Sequence, residues 1–405
     1  MNNKKFIYIP SFSAGSYGNA ITKDQGFKNG KPIRLYDENM DESLRHDWFL
    51  APAGHFYKKM DYRDKIKIPV TSNLNLMGDS GGFQIATGAL KWSTDLKKQI
   101  FSWLEHNSTV AVNLDIPPKI QYEGKFDECL EISAENFKYF YENQSGKTKF
   151  LNVLQGETLE KYQAWYDKVK DFEFSGWCLG GCGVSLNHFL SAIATFIDNK
   201  EHLKQNNEIL HILGTSKIID FFILSQLQKS FNDIGCAIQV TTDSSSPNNG
   251  SRFGTYYTHS DLKTGAFKNI HIPKPSLGKD FKIIDGLKML PKTSTCDNWL
   301  EDCYDWEDLY DYTAVINCVI VLHNYGVFRD TKNTIDNLVN GHPYFMDQMV
   351  DSNIVTIIKI VENMVIGSQN GGSAKQIYRK NRHVIDRVSH RLFSETLKES
   401  THDYF

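Results

Sequence analysis

The sequence predicts an α/β protein, a (β/α)8 barrel with a mainly helical C-terminal extension. Three observations predict it. Eight short apolar runs, rich in β-branched and aromatic residues, recur along the first two thirds of the chain, and most end in a small or polar residue. From the third run onward, stretches with apolar residues at helical spacing separate them, at about the repeat length of a βα unit. No Gly-rich phosphate-binding fingerprint follows the first run, which weighs against the alternative, an open doubly wound sheet.

The candidate strands, in order, are FIYIP (6–10), HDWFLAP (46–52), LNLMGD (74–79), TVAVNLD (109–115), KFLNVLQ (149–155), FSGWCLGG (174–181), EILHILG (208–214) and CAIQVTTD (236–243). Helical stretches begin near Trp92, Cys129, Glu157, Leu186 and Ser216; Ile219, Phe222, Ile223 and Leu227 show the spacing in the last of them. Alternating β and α elements imply a parallel sheet with right-handed crossovers. The barrel is expected over 1–270. Residues 271–405 read as an irregular connector with prolines and short polar runs, then an aromatic and acidic segment, then helices over about 350–396.

With 405 residues, 40% hydrophobic and 23% charged, the chain has globular rather than disordered composition. A net charge of −3 excludes polyanion binding by bulk charge, so any nucleic-acid contact needs a local basic face. No run approaches the roughly 18 apolar residues of a membrane span, and no secretory signal is evident at the start. Seven scattered cysteines do not make a disulfide scaffold, and their odd number fits a reducing compartment. The expectation is a cytoplasmic protein without a membrane partner.

Barrel enzymes gather reactive groups at the C-terminal ends of their strands. Those ends carry Asp79, Asp115, Gln155, Gly180, Gly181, Gly214 and Asp243. Any one Asp at a strand end is more often a helix cap; three at one level of a barrel point to a site. Asp79 is followed by Ser80, two glycines and Phe83, a pattern that lets backbone approach a ligand and an aromatic ring stack on a flat one.

GDSGGFQ (78–84) closely resembles the signature of the tRNA-guanine transglycosylase superfamily. Further matches follow in that family's order: NLDIPP (113–118), NVLQGE (152–157), GWCLGG (176–181), HILGTSK (211–217), TTDSSSPNNGSRFG (241–254) and LHNYGVF (322–328). They cover about 70–330; the flanks match weakly or not at all. The resemblance implies base exchange at a nucleoside in a polymer. Asp243 would be the nucleophile that attacks C1′, and Asp79 the general acid/base beside the base. Asp115 would accept from guanine N1–H and the exocyclic amine, Gln155 would donate to O6 or N7, and an N–H of Gly180 or Gly181 would donate to O6. Phe83 and Leu213 would sandwich the ring, with Ser80 and Gly214 beside it. Each apolar residue has a plainer reading as core, and Asp243 as a cap of the following turn. Burying three carboxylates together should raise some of their pKa values.

Arg252, after the nucleophile loop, can bind phosphate. KQIYRKNRHVIDRVSHR (375–391) reads as a basic amphipathic helix with Ile377, Val384, Val388 and Leu392 on its apolar face, so Arg379, Lys380 and Arg382 are candidate backbone contacts, the alternative being a solvated surface helix. The family's CxCxxC zinc cluster is absent. Cys296, Cys303 and His323 are left to make a structural zinc site, which needs four ligands, with Cys318 or an acid such as Asp302 as the fourth; buried unliganded cysteines are the alternative. No organic cofactor is expected.

The lost cysteine cluster, the TTDSSS loop and the distinct tail are most similar to the divergent relatives, found in phages and bacterial genomic islands, that insert 7-deazaguanines into DNA. The expectation is therefore exchange of guanine in DNA for a base such as preQ0. Helper proteins or a homodimer are possible partners, and a phage-encoded origin is an option. Three alternatives stay open: a tRNA-modifying transglycosylase, a non-catalytic nucleic-acid-binding subunit, and a barrel enzyme acting on a small metabolite.

Overall fold

The computed structural model describes residues 3–11, 16–23, 30–68, 73–271 and 313–400. Eight parallel strands form one sheet: β1 (Ile7–Pro10), β2 (Trp48–Pro52), β3 (Asn75–Asp79), β4 (Val110–Val112), β5 (Lys149–Leu154), β6 (Gly176–Leu179), β7 (Ile209–Ile212) and β8 (Gln239–Ser244). The order is β1-β8-β7-β6-β5-β4-β3-β2, and a bridge between Ser11 and Leu50 joins the two ends. This is a (β/α)8 barrel. All eight expected strands form, each shorter than the apolar run that announced it, and β8 alone ends beyond its run, one residue past Asp243.

Helices wrap the strands as expected: α5 (Thr94–Asn107), α6 (Phe126–Asn143), α7 (Leu159–Val169), α8 (Leu186–Asp198) and α9 (Ile218–Asp233) follow β3 to β7 in turn. Short helices α1 (Ser16–Thr22), α2 (Ala53–Phe56), α3 (Tyr62–Lys65) and α4 (Gly82–Ala86) fill the early loops. Ser93, Thr158 and Ser185 cap α5, α7 and α8 by accepting from the backbone N–H three residues on. The strands are buried on both faces, which explains their near-continuous apolar composition. Phe101, Phe140 and Phe150 pack ring against ring between β5 and its covering helices, each contributing about 1.5–3 kcal/mol by leaving water. On the outer side of β6, Trp177 donates to the buried Glu201, which also accepts from Tyr166, Lys204 and Asn207. Four donors on one carboxylate account for a charge in the core.

After β8 come α10 (Ser246–Arg252) and an antiparallel hairpin, β9 (Thr255–Asp261) and β10 (Ala266–His271). The eighth helical position is then filled from beyond residue 270. Helix α11 (Thr313–Asn340) lies against α9, α1 and β1. Residues 313–340 thus belong to the barrel's outer layer, in addition to the segment expected to form it. Helices α12 (Pro343–Met349), α13 (Ser352–Gln369) and α14 (Ala374–Ser400) complete the helical C-terminal region. Helix α14 buries Ala374, Tyr378, Ile385 and Val388 and packs on α8 and α13. Its first turn bonds Asp198 at the end of α8, while Asp386 meets Asn187 at the start of α8. It therefore runs antiparallel to α8, climbing toward the rim that carries the C-terminal ends of the strands.

Among the described residues, no helix is long and apolar enough to cross a membrane.

Candidate active site

A cavity of about 620 Å³ opens at the C-terminal ends of the strands. Asp79, Asp115, Gln155, Gly180, Gly181, Leu213, Gly214 and Asp243 all line it, with Phe83 and Arg252. Eight strand ends facing one opening put residues 35 to 40 positions apart in sequence within reach of one another.

Each carboxylate is held differently. Asp79, the last residue of β3, accepts from the Gly81 N–H at 3.3 Å. Burial pushes its pKa up to about 6; the Gly81 bond opposes this and the charge of Asp243 adds to it. Asp115 lies past the end of β4 and is 3% exposed. Burial drives its pKa up to about 7, against the Gln155 hydrogen bond and with help from the charge of Asp79. Gln155 Nε2 donates to Asp115 Oδ2 at 2.7 Å, so the amide and the carboxylate form one unit. Asp243, in β8, accepts the Gly214 N–H on Oδ1 at 2.9 Å, and His211 Nε2 lies 3.3 Å from the same oxygen.

Two glycines permit this closeness. A Cβ on Gly82 would collide with the backbone carbonyl of Asp115, and a Cβ on Gly180 would overlap the Gln155 amide. Gly180 and Gly181 differ in a way the sequence does not show. The Gly180 N–H is spent on Leu154 O at 2.9 Å, extending the β5–β6 ladder. Its carbonyl accepts from Tyr162 Oη at 3.0 Å. Of the two expected donors, Gly181 is the one whose N–H is not committed to the sheet.

Phe83 is 58% exposed on α4, and Leu213 is half-buried; both line the same cavity, an arrangement that can hold a flat ring between them. Ser80 departs from expectation. It does not line the cavity; its buried hydroxyl donates to Asn113 O at 3.0 Å and ties the β3 end to the β4 end. Around the mouth, Ser216, Ser244 and Ser246 bond to one another through their hydroxyls at 2.9–3.0 Å. Arg252 is exposed beside them.

Arg379, Lys380 and Arg382 are exposed on α14, away from the cavity wall. Arg379 lies 3.6 Å from Glu160, and Arg382 lies 3.8 Å from Asp386. Such exposed pairs are weak and open to exchange for phosphate.

Of the residues expected for zinc, Cys296 and Cys303 lie outside the described residues. Cys318 is buried on α11, with its thiol pushed up to about 12 by burial. His323 stacks on Tyr256, with Nδ1 at 3.0 Å from the Tyr256 hydroxyl and Nε2 at 2.7 Å from Tyr257 O. Both ring nitrogens are thus engaged, and as placed His323 does not fit a ligand role. Among the described residues no group of three His, Cys, Asp or Glu can hold a metal.

Sequence reasoning missed Lys119 and His211. Lys119 follows the NLDIPP segment, lines the cavity half-buried, and has its pKa lowered chiefly by burial, with Asp115 opposing. The signal for it was a lysine four residues after Asp115. His211 lies within HILGTSK, a segment in which the resemblance implies no role for the histidine.

No protein-family model and no curated protein matches the chain. The functional reading therefore stands on the geometry and on the motif resemblance.

Proposed function

We propose that this chain is a guanine transglycosylase that exchanges guanine in a nucleic acid, with DNA as the favoured acceptor, for a 7-deazaguanine base such as preQ0. The observation that carries it is the set of three carboxylates in one cavity, each with a different set of partners. Asp243 has an oxygen with no described partner, Asp115 is coupled to an amide, and Asp79 accepts a backbone N–H; burial raises the pKa of both Asp79 and Asp115 toward neutrality. A ring that carries both donors and acceptors, followed by a sugar carbon, matches that set.

In this reading the target guanine lies between Phe83 and Leu213. Asp115 accepts from N1–H and the exocyclic amine, and the Gly181 N–H and the Gln155 amide donate to O6. Asp243 Oδ2 attacks C1′; the C1′–N9 bond breaks and its electron pair leaves with guanine, which takes a proton from the acid form of Asp79. The reaction then reverses with the incoming base. Its N9 proton passes to Asp79, N9 attacks C1′, and the ester bond to Asp243 breaks to regenerate the carboxylate. Two displacements at one carbon are the logic of a retaining glycosidase. A carboxyl with a pKa near 6 can both give and take a proton near neutral pH.

The acceptor strand would cross the mouth over Arg252 and the serine cluster, with the basic face of α14 farther along the rim. A base paired in duplex must be turned out to reach the cavity, or the strand must be unpaired.

The test is to trap the intermediate. The parent chain, incubated with end-labelled DNA or tRNA and denatured without added base, should yield a polymer–protein adduct that Asp243→Asn abolishes. No adduct with either polymer, under conditions where guanine binds, counts against the reading.

A further inference from the structure

We propose that His211 is the positioning residue of the nucleophile: its Nε2–H faces Asp243 Oδ1 and, closing on it as the site fills, leaves Oδ2 to face the sugar carbon. The inference rests on the base-exchange reading and adds a residue to which that reading gave no role.

The placement follows from strand register. His211 on β7 pairs with Thr241 on β8, and Thr241 shares a face of β8 with Asp243 two residues on. His211 and Thr241 are completely buried. The Nδ1 of His211 is 2.8 Å from Thr241 Oγ1, and its Nε2 is 3.3 Å from Asp243 Oδ1. That buried Nε2 makes no hydrogen bond to any described group, and the Asp243 carboxylate, 3.3 Å away, is the acid it faces.

Proton placement is then constrained. The neutral ring with its proton on Nε2 accepts from the Thr241 hydroxyl on Nδ1 and points a donor at Oδ1. The doubly protonated ring donates to both. The third form, with the proton on Nδ1, would set a lone pair against a carboxylate inside the barrel, which is repulsive with no solvent to relieve it. Both favourable forms carry a proton toward Asp243.

The Gly214 N–H reaches the same oxygen at 2.9 Å. The Gly214 N–H bonded from the loop after β7 and the His211 Nε2 facing from β7 thus share Oδ1, while the described contacts leave Oδ2 unengaged. This orients the carboxylate plane for in-line approach to C1′. It also gives the returning negative charge a prepared seat when the ester to Asp243 is displaced. The donor acts on bond making and breaking at C1′, not on recognition of the base, so the loss should fall on kcat.

The experiment uses the full chain as parent, His211→Leu and His211→Gln. Labelled-guanine exchange is followed with whichever polymer the parent labels. His211→Leu should lower kcat about 10- to 100-fold, the size of one hydrogen bond to a charged group, with KM for guanine within about two-fold of the parent. His211→Gln, whose amide N–H can reach the same oxygen, should recover most of the rate. Parent-like kcat in His211→Leu, or no recovery in His211→Gln, overturns the proposal. A second readout needs no turnover: 15N spectra of labelled histidine, assigned by difference against His211→Gln, should show Nε2 protonated. A ring protonated on Nδ1 alone overturns it. A parent that labels neither polymer counts instead against base exchange, and the ring spectrum still decides the contact.

Discussion

Gly180→Ala is the substitution that probes the recognition unit with least disturbance to the fold. The added Cβ would overlap the Nε2, Cδ and Oε1 atoms of Gln155. These are the far end of a flexible side chain, so the amide swings away instead of the strand moving. Gly180 φ/ψ needs no left-handed conformation, and its N–H bond to Leu154 O survives. What is lost is the 2.7 Å bond from Gln155 to Asp115, together with the amide that faces the base. A hydrogen bond to a charged group contributes about 1.5–3 kcal/mol, so guanine affinity should fall about 10- to 100-fold. Because that bond holds the Asp115 pKa down, its loss should also move the titration of Asp115 above its present value of about 7. Equilibrium dialysis with labelled guanine at several pH values measures both effects, and thermal unfolding checks that the fold is kept. A variant that binds guanine as tightly as the parent, with the same pH dependence, would refute the assignment of Gln155 and Asp115 as one recognition unit.

Three further outcomes follow from the site. Guanine binding should strengthen as pH rises, because the ionised Asp115 is the form that accepts two N–H groups; with a pKa of about 7, affinity at pH 6 should be about ten-fold below that at pH 8. Asp115→Asn should remove that dependence. Stability should run the other way. The folded pKa of Asp115 lies above the unfolded value of 3.8, so the folded chain holds the extra proton, and stability present below pH 4 is lost as pH rises through about 7. Asp115→Asn should therefore flatten the decline of melting temperature between pH 4 and pH 8; an equally steep decline would contradict the burial argument. Arg252→Ala should weaken polymer binding and reduce the slope of log affinity against log salt by about 1, leaving free guanine binding unchanged; an unchanged slope would remove Arg252 from the phosphate path.

The barrel was legible because its strands are buried on both faces. Runs such as FLNVL and ILHI carry no competing periodicity, and capped helices separate them. The strand ends then named most of the cavity wall. What escaped depended on direction rather than on identity. Ser80 sits in the motif, yet its hydroxyl turns to the neighbouring strand. Gly180 and Gly181 are the same residue type, yet one N–H belongs to the sheet. His211 and Asp243 are 32 positions apart and meet only through the β7–β8 register, which no single run reveals. The helix that follows β8 in the outer layer is supplied by residues 313–340, outside the 1–270 expected for the barrel, so the strand–helix repeat did not reveal it.

The measurement that bears most directly on the central claim is incorporation of isotopically labelled guanine by the purified chain, with duplex DNA, single-stranded DNA and bulk tRNA offered in parallel. The account predicts label retained by DNA through denaturation, chased out by unlabelled preQ0, and absent with Asp243→Ala. Label in tRNA alone would contradict the choice of acceptor and keep the chemistry. Label in none of the three, from a chain that binds guanine in the dialysis assay, would contradict base exchange itself.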